Sequence, residues 1–561
     1  MSEAYLALCR ELSIQPTTDP PTVLPRARSV DAAVSLRGAD SILEIDHLGR
    51  TTVALIAGDW SSGCPECVQS KIVGLEHYYP GDPDDPLDVD AAAALVSAFR
   101  ERHGIPLAVT DAYAPQNWSV CFPVPGCKRC SEVARASAGI VAQYGELWAH
   151  SAVMSTPVEH DRAAGLRQLS GSEFSRRNRS TIGFAAVVGN PVLVDEDRVS
   201  LVNAPIFVST ATDDHEVSGG KGADLEQAIA SCVGEGLERY FLTGVFRDPG
   251  VVASRAELGP LACSPSDDFG FPTIDPRVVR YADDLTLEWV TADDLHTGDR
   301  TFVPANAVYC PYVPVSGGSV ISVGSTNGAA AGATVTDATR QALLEAVERD
   351  AFWYYARTGI PPTAVPLAVI PPDVAASMST MRGQFWTHVL DNPFGIPVVH
   401  VTFESDVPGG PRAARGTGAT LRLDSSIRRA FSECLQMYHS LATGVAVDPT
   451  TADMRHSWFA GTARSEFPEF FARNQTARPR DEPPHGLDPT DVILAGARAQ
   501  SLPAYRVVLA ETPAFAVVKV LVGGMSIMDA AYFENSTRFS DVARAVRHPE
   551  PRVRYRGSLF M

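Results

Sequence analysis

Ser231 to Arg239 reads S-C-V-G-E-G-L-E-R, and the pattern returns 110 residues later as Q-A-L-L-E-A-V-E-R, Gln341 to Arg349. The shared frame is a polar residue, Glu at +4, Glu at +7 and Arg at +8. It gives Ser231, Glu235, Glu238 and Arg239 in the first copy and Gln341, Glu345, Glu348 and Arg349 in the second. Upstream, Gly222-Ala223 aligns with Gly332-Ala333, and Ala228 with Ala338. A third, looser copy runs from Arg429 through Glu433 to Gln436. Each copy has apolar residues at helical spacing and no internal proline, so each is expected to be a helix. Residues three and four apart share a helix face. Glu235 therefore sides with Glu238, and Glu345 with Glu348. If the two helices face each other, four carboxylates converge and need cations among them. Hard oxygen ligands suit Mg2+, which keeps waters and binds substrate phosphates. Arg239 and Arg349 can neutralise what remains.

One E-x-x-E-R alone is ordinarily a solvated helix face with salt bridges. Its recurrence in the same frame, each time after glycine-rich sequence, favours a site built from repeated parts. The glycine stretches G-G-K-G and N-G-A-A-A-G-A could bring backbone N–H groups to a phosphate at a helix start. Neither is a Walker A loop, whose G-x-x-x-x-G-K-[ST] pattern is absent from the chain.

With both motifs laid out, G-K-G-A-D-L-E-Q-A-x-A-S-x-x-x-E-x-x-E-R and N-G-x-A-A-G-x-x-x-x-x-A-x-x-Q-A-L-L-E-x-x-E-R-D-A, the chain resembles the nucleotide-binding core of the YcaO superfamily. The resemblance covers roughly Leu169 to the C-terminus. It implies a site in which ATP and Mg2+ lie among these helices and ATP activates a peptide backbone amide. Position by position, it assigns the ATP contacts to Ser231, Arg239, Asn327, Gln341 and Arg349, with Arg429 and Glu433 from the third helix. The Mg2+ ligands and catalytic acids would be Glu235, Glu238, Glu345 and Glu348, with Asp337 as a further metal ligand. One departure is Ala333, where several family members carry Asn; no side-chain ligand is available there.

Two further pairs carry chemistry, Cys64-Pro-Glu-Cys67 and Cys127-Lys-Arg-Cys130. Two residues between cysteines let both thiolates reach one metal, and two such pairs make a closed tetrahedral site suited to structural Zn2+. The 59 residues between the pairs make this a stapled domain, not a finger. A redox reading would explain one pair and not both. The remaining cysteines are expected to be small buried hydrophobes. The pairs, with Trp60, also resemble the zinc-tetrathiolate domain found in or beside YcaO proteins that make azole rings. That would make the N-terminal part a docking platform.

The chain has 561 residues, 45% apolar and 20% charged, enough for more than one packed domain. A net charge of −19 argues against a broad nucleic-acid or anionic-membrane surface. No apolar run approaches the roughly 18 residues of a membrane span. The N-terminus lacks a signal-peptide pattern, so the cytoplasm is the expected compartment, where cysteines stay reduced or bind metal.

Along the chain, Ala4 to Leu12 is expected to be helical, followed by a Pro/Thr-rich tether. Residues 41 to 58 read as two strands turning at Gly49, Asp88 to His103 as a helix, Ile105 to Val109 as a strand, and 131 to 150 as helix. Residues 155 to 180 read as linker. From Thr181, strands alternate with the motif helices: I-G-F-A-A-V-V, P-V-L-V and A-P-I-F-V-S-T, then Thr301 to Tyr309, Ile396 to Phe403, Ala504 to Leu509 and Ala514 to Val522. Thr451 to Pro484 reads as a cover or interaction loop. The expectation is an α+β fold: a YcaO-like ATP-binding core with internal pseudo-symmetry over 166–561, preceded by a smaller zinc-stapled α/β domain over 1–165.

The resemblance implies an ATP-dependent cyclodehydratase. A Cys, Ser or Thr side chain of a ribosomally made precursor peptide attacks the preceding amide, the amide oxygen takes the γ-phosphoryl group, and loss of phosphate leaves a thiazoline or oxazoline. Ring-forming members often end in P-x-P-x-P; here Pro549 and Pro551 keep part of that pattern and Arg552-Val553 break it. The rival chemistries are thioamide or amidine formation at the same ATP site, and a catalytically silent zinc-stapled adaptor. The expected partners are the precursor peptide, a separate leader-peptide-binding protein and an azoline dehydrogenase, with room for a homodimer.

Overall fold

A computed structural model gives the architecture. It describes residues 42–48, 51–57, 107–111, 119–120, 167–178, 181–182, 187–188, 192–193, 206–210, 217–222, 225–244, 247, 250–265, 269, 278–322, 324–358, 360–443, 464, 468–471 and 486–525. The expected helices at Ala4–Leu12, Asp88–His103 and 131–150 lie outside these residues. So do Cys64, Cys67, Cys127 and Cys130, the tail prolines Pro549 and Pro551, and most of the 451–484 segment.

In chain order, β1 (Ile42–Leu48), β2 (Thr51–Ala57), β3 (Leu107–Asp111) and β4 (Ser119–Val120) form an antiparallel meander. Helix α1 (Gly171–Arg177) follows, then β5 (Val192–Leu193), β6 (Ile206–Thr210), β7 (Val217–Lys221) and α2 (Leu225–Leu242). Next come β8 (Val251–Ala253), β9 (Leu287–Asp294), β10 (Arg300–Pro304), β11 (Ala329–Gly332) and α3 (Val335–Thr358). The chain continues through β12 (Thr363–Ala364), α4 (Pro372–Thr380), β13 (Gly383–Leu390), β14 (Val398–Ser405), β15 (Ala413–Ala419) and α5 (Leu423–Thr443). It ends, among described residues, with α6 (Pro489–Ala499), β16 (Ala504–Glu511) and β17 (Ala516–Val522). Every ladder between these strands is antiparallel: β5-β6-β7, β10-β9-β16-β17-β11 with β8 on β9, and β12-β13-β14-β15. Antiparallel sheets with helices packed on them make this an α+β fold, as the sequence pattern predicts.

Three units repeat one device. A short strand rich in Gly and Ala runs straight into a long helix: β7 into α2, β11 into α3, β15 into α5. The absent side chains let each helix lie directly on the backbone of its strand. A Cβ on Gly222 would stand 2.6 Å from Ala228 N, and one on Gly332 would stand 2.5 Å from Ala338 N. One on Gly418 would stand 2.5 Å from Ser426 O. The glycines thus have a packing reason to be there, whatever they also do for a ligand.

Among the described residues the helices and sheets share three large apolar cores, with Ala228 and Cys232 as a small fourth. The main one lies among α3, α5 and β13–β15, with Phe352, Trp353, Phe403 and Leu435 fully covered. A second joins α1 and α2 to Phe515 and Val517. A third packs Trp289 and Val303 with Leu521.

The structure corrects several local expectations. Residues 155–180 are not linker throughout: Ser170 caps α1, its hydroxyl accepting from Glu173 N at 3.2 Å, and Phe174 buries the inner face. The expected strand from Thr301 stops at Pro304, where Ala305–Val308 coils into one helical turn. Ile182 and Val188 make only an isolated bridge. The expectations did not include strands β4, β7, β8, β9, β11, β12, β13 and β15 or helices α1, α4 and α6; β15, A-A-R-G-T-G-A, has few residues that favour strands on intrinsic preference.

Candidate functional site

The acids of α2 and α3 lie near one another in a half-buried region, and α5 adds to it. Glu238 lies within electrostatic reach of Glu345 and Glu235; burial first, then repulsion from those two, pushes its carboxyl well above the usual range. Burial likewise lifts Glu345, although Arg349 pulls the other way. Glu345 also accepts from Gly328 N at 3.2 Å. Glu348 accepts from the Thr417 hydroxyl at 2.8 Å. Glu433, on α5, reaches the edge strand β15, where it faces Thr417 N at 3.4 Å, and takes the Lys221 ammonium at 2.7 Å. Burial opposes the Glu433 charge, yet Lys221 and Arg349 outweigh it and hold the carboxyl below its ordinary value.

The arginines are placed by the helix repeat. Arg239 grips Glu235 one turn back at 2.9 Å, and Arg349 stands 3.5 Å from Glu345 in the same i, i+4 relation. Arg349 also lies 3.7 Å from Glu348 and 3.9 Å from Glu433, so one guanidinium serves acids of two helices. Burial works against its charge, but Glu348, Glu433 and Glu345 more than compensate. Arg429 of α5 donates to Gln341 of α3 at 3.3 Å, so the leading polar positions of these two copies touch.

A small cleft between α1 and α2 is lined by Arg167, Ser170, Gln227, Ser231 and Asp337. Asp337 is only 2% exposed; its Oδ2 accepts from Ala333 N at 3.1 Å. Its Oδ1 has no hydrogen-bond partner, with Arg340 no nearer than 3.8 Å. A buried carboxylate oxygen without a donor is a position a cation would satisfy. Asn327 enters through its backbone: its carbonyl accepts from Lys519 at 2.5 Å.

The four motif glutamates do not gather on one point as the sequence alone suggests. Among the described residues, no three His, Cys, Asp or Glu side chains stand close enough to hold one ion. Arg239, Gly328 and Thr417 each engage one carboxylate, those of Glu235, Glu345 and Glu348.

Four functional candidates went unassigned in the sequence. Arg167 donates to Ala331 O at 3.3 Å and stands within electrostatic reach of Asp337, Arg429 and Glu238; burial, with Arg429, lowers its pKa. Lys221 closes the first glycine motif. Thr417 lies in the unforeseen strand β15. Burial lowers the Lys519 ammonium to about 8 against the opposing pull of Cys310, Glu345 and Glu238. A charged residue inside A-V-V-K-V-L-V was the available signal for Lys519; nothing local marks Arg167. Cys232, inside the first motif, is sealed from solvent beside Ser218, and burial pushes its thiol up to about 12. Cys263 and Cys434 are buried as expected, while Cys310 is half-buried.

Strand–helix units bring acids and basic side chains together, a charge pattern that suits a polyanion with its cations. The family model for the YcaO cyclodehydratase, ATP- and Mg2+-binding, matches residues 219–526. This chain belongs to the YcaO family, whose enzymes depend on ATP and Mg2+. An uncharacterized protein of Methanothermobacter thermautotrophicus is 26% identical over 281 residues, spanning 48% of this chain and 70% of the relative. A heterocyclase solved in complex with substrate and cofactor shares the fold at a TM-score of 0.64 and 18% identity, over 88% of this chain and 74% of its own. The heterocyclase TruD does so at 0.55 and 18%, over 91% and 73%. YcaO from Methanopyrus kandleri, bound with AMPPCP and Mg2+, does so at 0.51 and 21%, over 67% and 98%. No helix among the described residues is long and apolar enough to cross a membrane.

Proposed function

We propose that the protein is an ATP-dependent cyclodehydratase that converts Cys, and Ser or Thr, residues of a ribosomally made peptide to azolines. The observation that carries this reading is Arg349 of α3 beside Glu345, Glu348 and Glu433, acids of two helices, with Thr417 between Glu348 and Glu433. Acids and an arginine gathered from several helices suit a triphosphate with its Mg2+ ions. Glu235, Glu238, Asp337, Glu345 and Glu348 would hold the Mg2+, which supplies charge neutralisation at the phosphates. Ser231, Arg239, Asn327, Gln341, Arg349, Arg429 and Glu433 would bind and orient ATP, joined by Arg167 and Lys221.

The substrate side chain attacks the preceding carbonyl carbon, forming a C–S or C–O bond. The resulting amide oxygen takes the γ-phosphoryl group and leaves ADP; expulsion of phosphate and loss of the amide proton give the ring. Water is a poor leaving group and phosphate a good one, so ATP is needed. Phosphoryl transfer asks the protein for positioning and electrostatics more than for a nucleophile, which fits a site of acids and arginines. The fold shared with two heterocyclases over 88% and 91% of this chain supports ring formation. A second reading is thioamide or amidine formation at the same ATP site.

We assign 1–165 to a docking domain with structural zinc on Cys64, Cys67, Cys127 and Cys130. What supports the reading is the sequence, two C-x-x-C pairs suited to one tetrahedral ion. Strands β2 and β4 run the same way on either side of β3, with Ala57 opposite Leu107 and Val120 opposite Ala108. Their C-terminal ends thus lie two strand spacings apart, about 10 Å. Each cysteine pair begins seven residues beyond its strand. The chain would work in the cytoplasm with a separate leader-binding partner. Incubating it with partner, candidate peptide and ATP and weighing the product tests the reading. Loss of one water per modified residue is expected; exchange of oxygen for sulfur would favour the second chemistry. Glu345→Gln should abolish the product while leaving the fold intact, and retained activity would count heavily against the assignment.

A further inference from the structure

Strand β17 is A-V-V-K-V-L-V, and Lys519 is its only charged residue. Val518, Val520 and Val522 join the core around α3, while Val517 and Leu521 join the other two large cores. Lys519 sits between these apolar neighbours at 1% exposure. Lysine is almost never this buried unless paired, and burying its ammonium costs several kcal/mol. A strand that needed only packing would be served by Met or Leu.

The ammonium has a defined task. It donates to the carbonyls of Ser325 and Asn327, each at 2.5 Å. The same turn is sewn to β17 again by Val520 N, which donates to Gly328 O at 2.7 Å, and by the pairing of Ala329 with Lys519. The turn then presents Gly328 N to Glu345. Glu345 of α3 and Glu238 of α2 are also the carboxylates within electrostatic reach of the ammonium. One buried cation therefore faces acids from two helices and fixes the turn that orients one of them.

We propose that Lys519 is a positioning residue of the nucleotide site, a protein-borne cation that fixes the Ser325–Gly328 turn and, through Gly328 N, the Glu345 carboxylate of α3. The inference rests on the reading of the acids of α2 and α3 as the site of Mg2+ and ATP. Its role is parallel to that of Lys221, which bridges β7 to Glu433 of α5. A fixed positive charge here limits repulsion between Glu238 and Glu345, and the bound turn keeps Gly328 N aimed at Glu345 for the arriving anion.

The test compares the full-length wild type with Lys519→Met and Lys519→Arg by calorimetric titration with AMPPCP over a series of Mg2+ concentrations. Thermal unfolding without nucleotide runs alongside. Lys519→Met removes the charge and keeps the volume but leaves the Ser325 and Asn327 carbonyls without this donor, so the unliganded melting temperature should fall by a few degrees. Nucleotide affinity at saturating Mg2+ should fall about tenfold, the scale of one charged hydrogen bond. The Mg2+ concentration for half-maximal binding should fall, because the acids lose a competing cation; a purely structural residue would not split the two in this way. Lys519→Arg should recover nucleotide affinity to within about threefold of wild type. Unchanged affinity and Mg2+ dependence in Lys519→Met would overturn the inference. Where Lys519→Met fails to fold, Lys519→Arg decides, and a folded Arg variant with lost affinity overturns it. A wild type that binds no AMPPCP with Mg2+ sinks the site reading itself, and this inference with it.

Discussion

The Thr417 hydroxyl donates to Glu348 Oε1 at 2.8 Å, joining an edge strand to the second motif helix. The same hydroxyl lies 3.3 Å from Glu433, so one side chain spaces acids from α3 and α5. Thr417→Val keeps the shape and removes the donor. A hydrogen bond to a buried charge is worth about 1.5–3 kcal/mol, so affinity for AMPPCP with Mg2+ should fall about tenfold or more. Calorimetric titration checks this. Unfolding in urea should shift little by comparison, and an unchanged affinity would remove Thr417 from the site.

Gly416 is where α5 lies against β15. A Cβ there would collide with Ala430 O and Cys434 N and stand 2.8 Å from the Glu433 carbonyl carbon. Helix backbone cannot yield as a flexible side chain can. Gly416→Ala should destabilise the fold by about 3 kcal/mol, read as a lower urea midpoint. It should also lower activity, because Glu433 and Arg429 ride on the displaced helix.

Burial holds His439 neutral, lowering its pKa from 6.5 to about 4, and drives His400 in the same direction with help from Arg415 and His388. Above pH 6.5 neither folded nor unfolded His439 is protonated, so it has no effect on stability. Between 6.5 and 4 only the unfolded chain takes the proton, so stability falls as pH falls; below 4 the loss levels off. The full cost from His439 is about 3 kcal/mol. Urea titrations from pH 7 to pH 4 should show this slope, and His439→Leu should flatten part of it, leaving the contribution of His400.

The two cysteine pairs predict one tightly held zinc per chain. Metal analysis of purified protein should return about one equivalent, and Cys127→Ser should lose it. Because a closed site is structural, the variant should retain AMPPCP binding while losing partner or peptide recruitment. Zinc retained in the variant would exclude the four-cysteine site.

The helix motifs were legible because E-x-x-E-R records a face: spacing of three and four fixes which side chains point together, whatever the rest of the chain does. Their repetition raised the condition that α2 and α3 bring their acids toward each other. The strands that seat them were less legible. V-S-G-G-K, A-A-A-G and A-A-R-G-T-G-A carry little strand preference, since their job is to give way to a helix, and β15 was missed on that account. Lys519 and Thr417 were passed over because a lone Lys or Thr acquires its role only from what the sheet brings opposite it.

The sequence by itself determined the α+β class, the three repeated helices and the identity of the acids and arginines on their inner faces, because helical periodicity is a local property of the chain. Only the tertiary structure decided how those faces meet. It put Arg349 of α3 beside Glu433 of α5 as well as its own Glu345 and Glu348. It also brought Arg167, Lys221, Thr417 and Lys519 into the site from distant segments. Charge balance in a buried site depends on every group within a few ångströms, and those neighbours are set by packing between elements far apart in the chain.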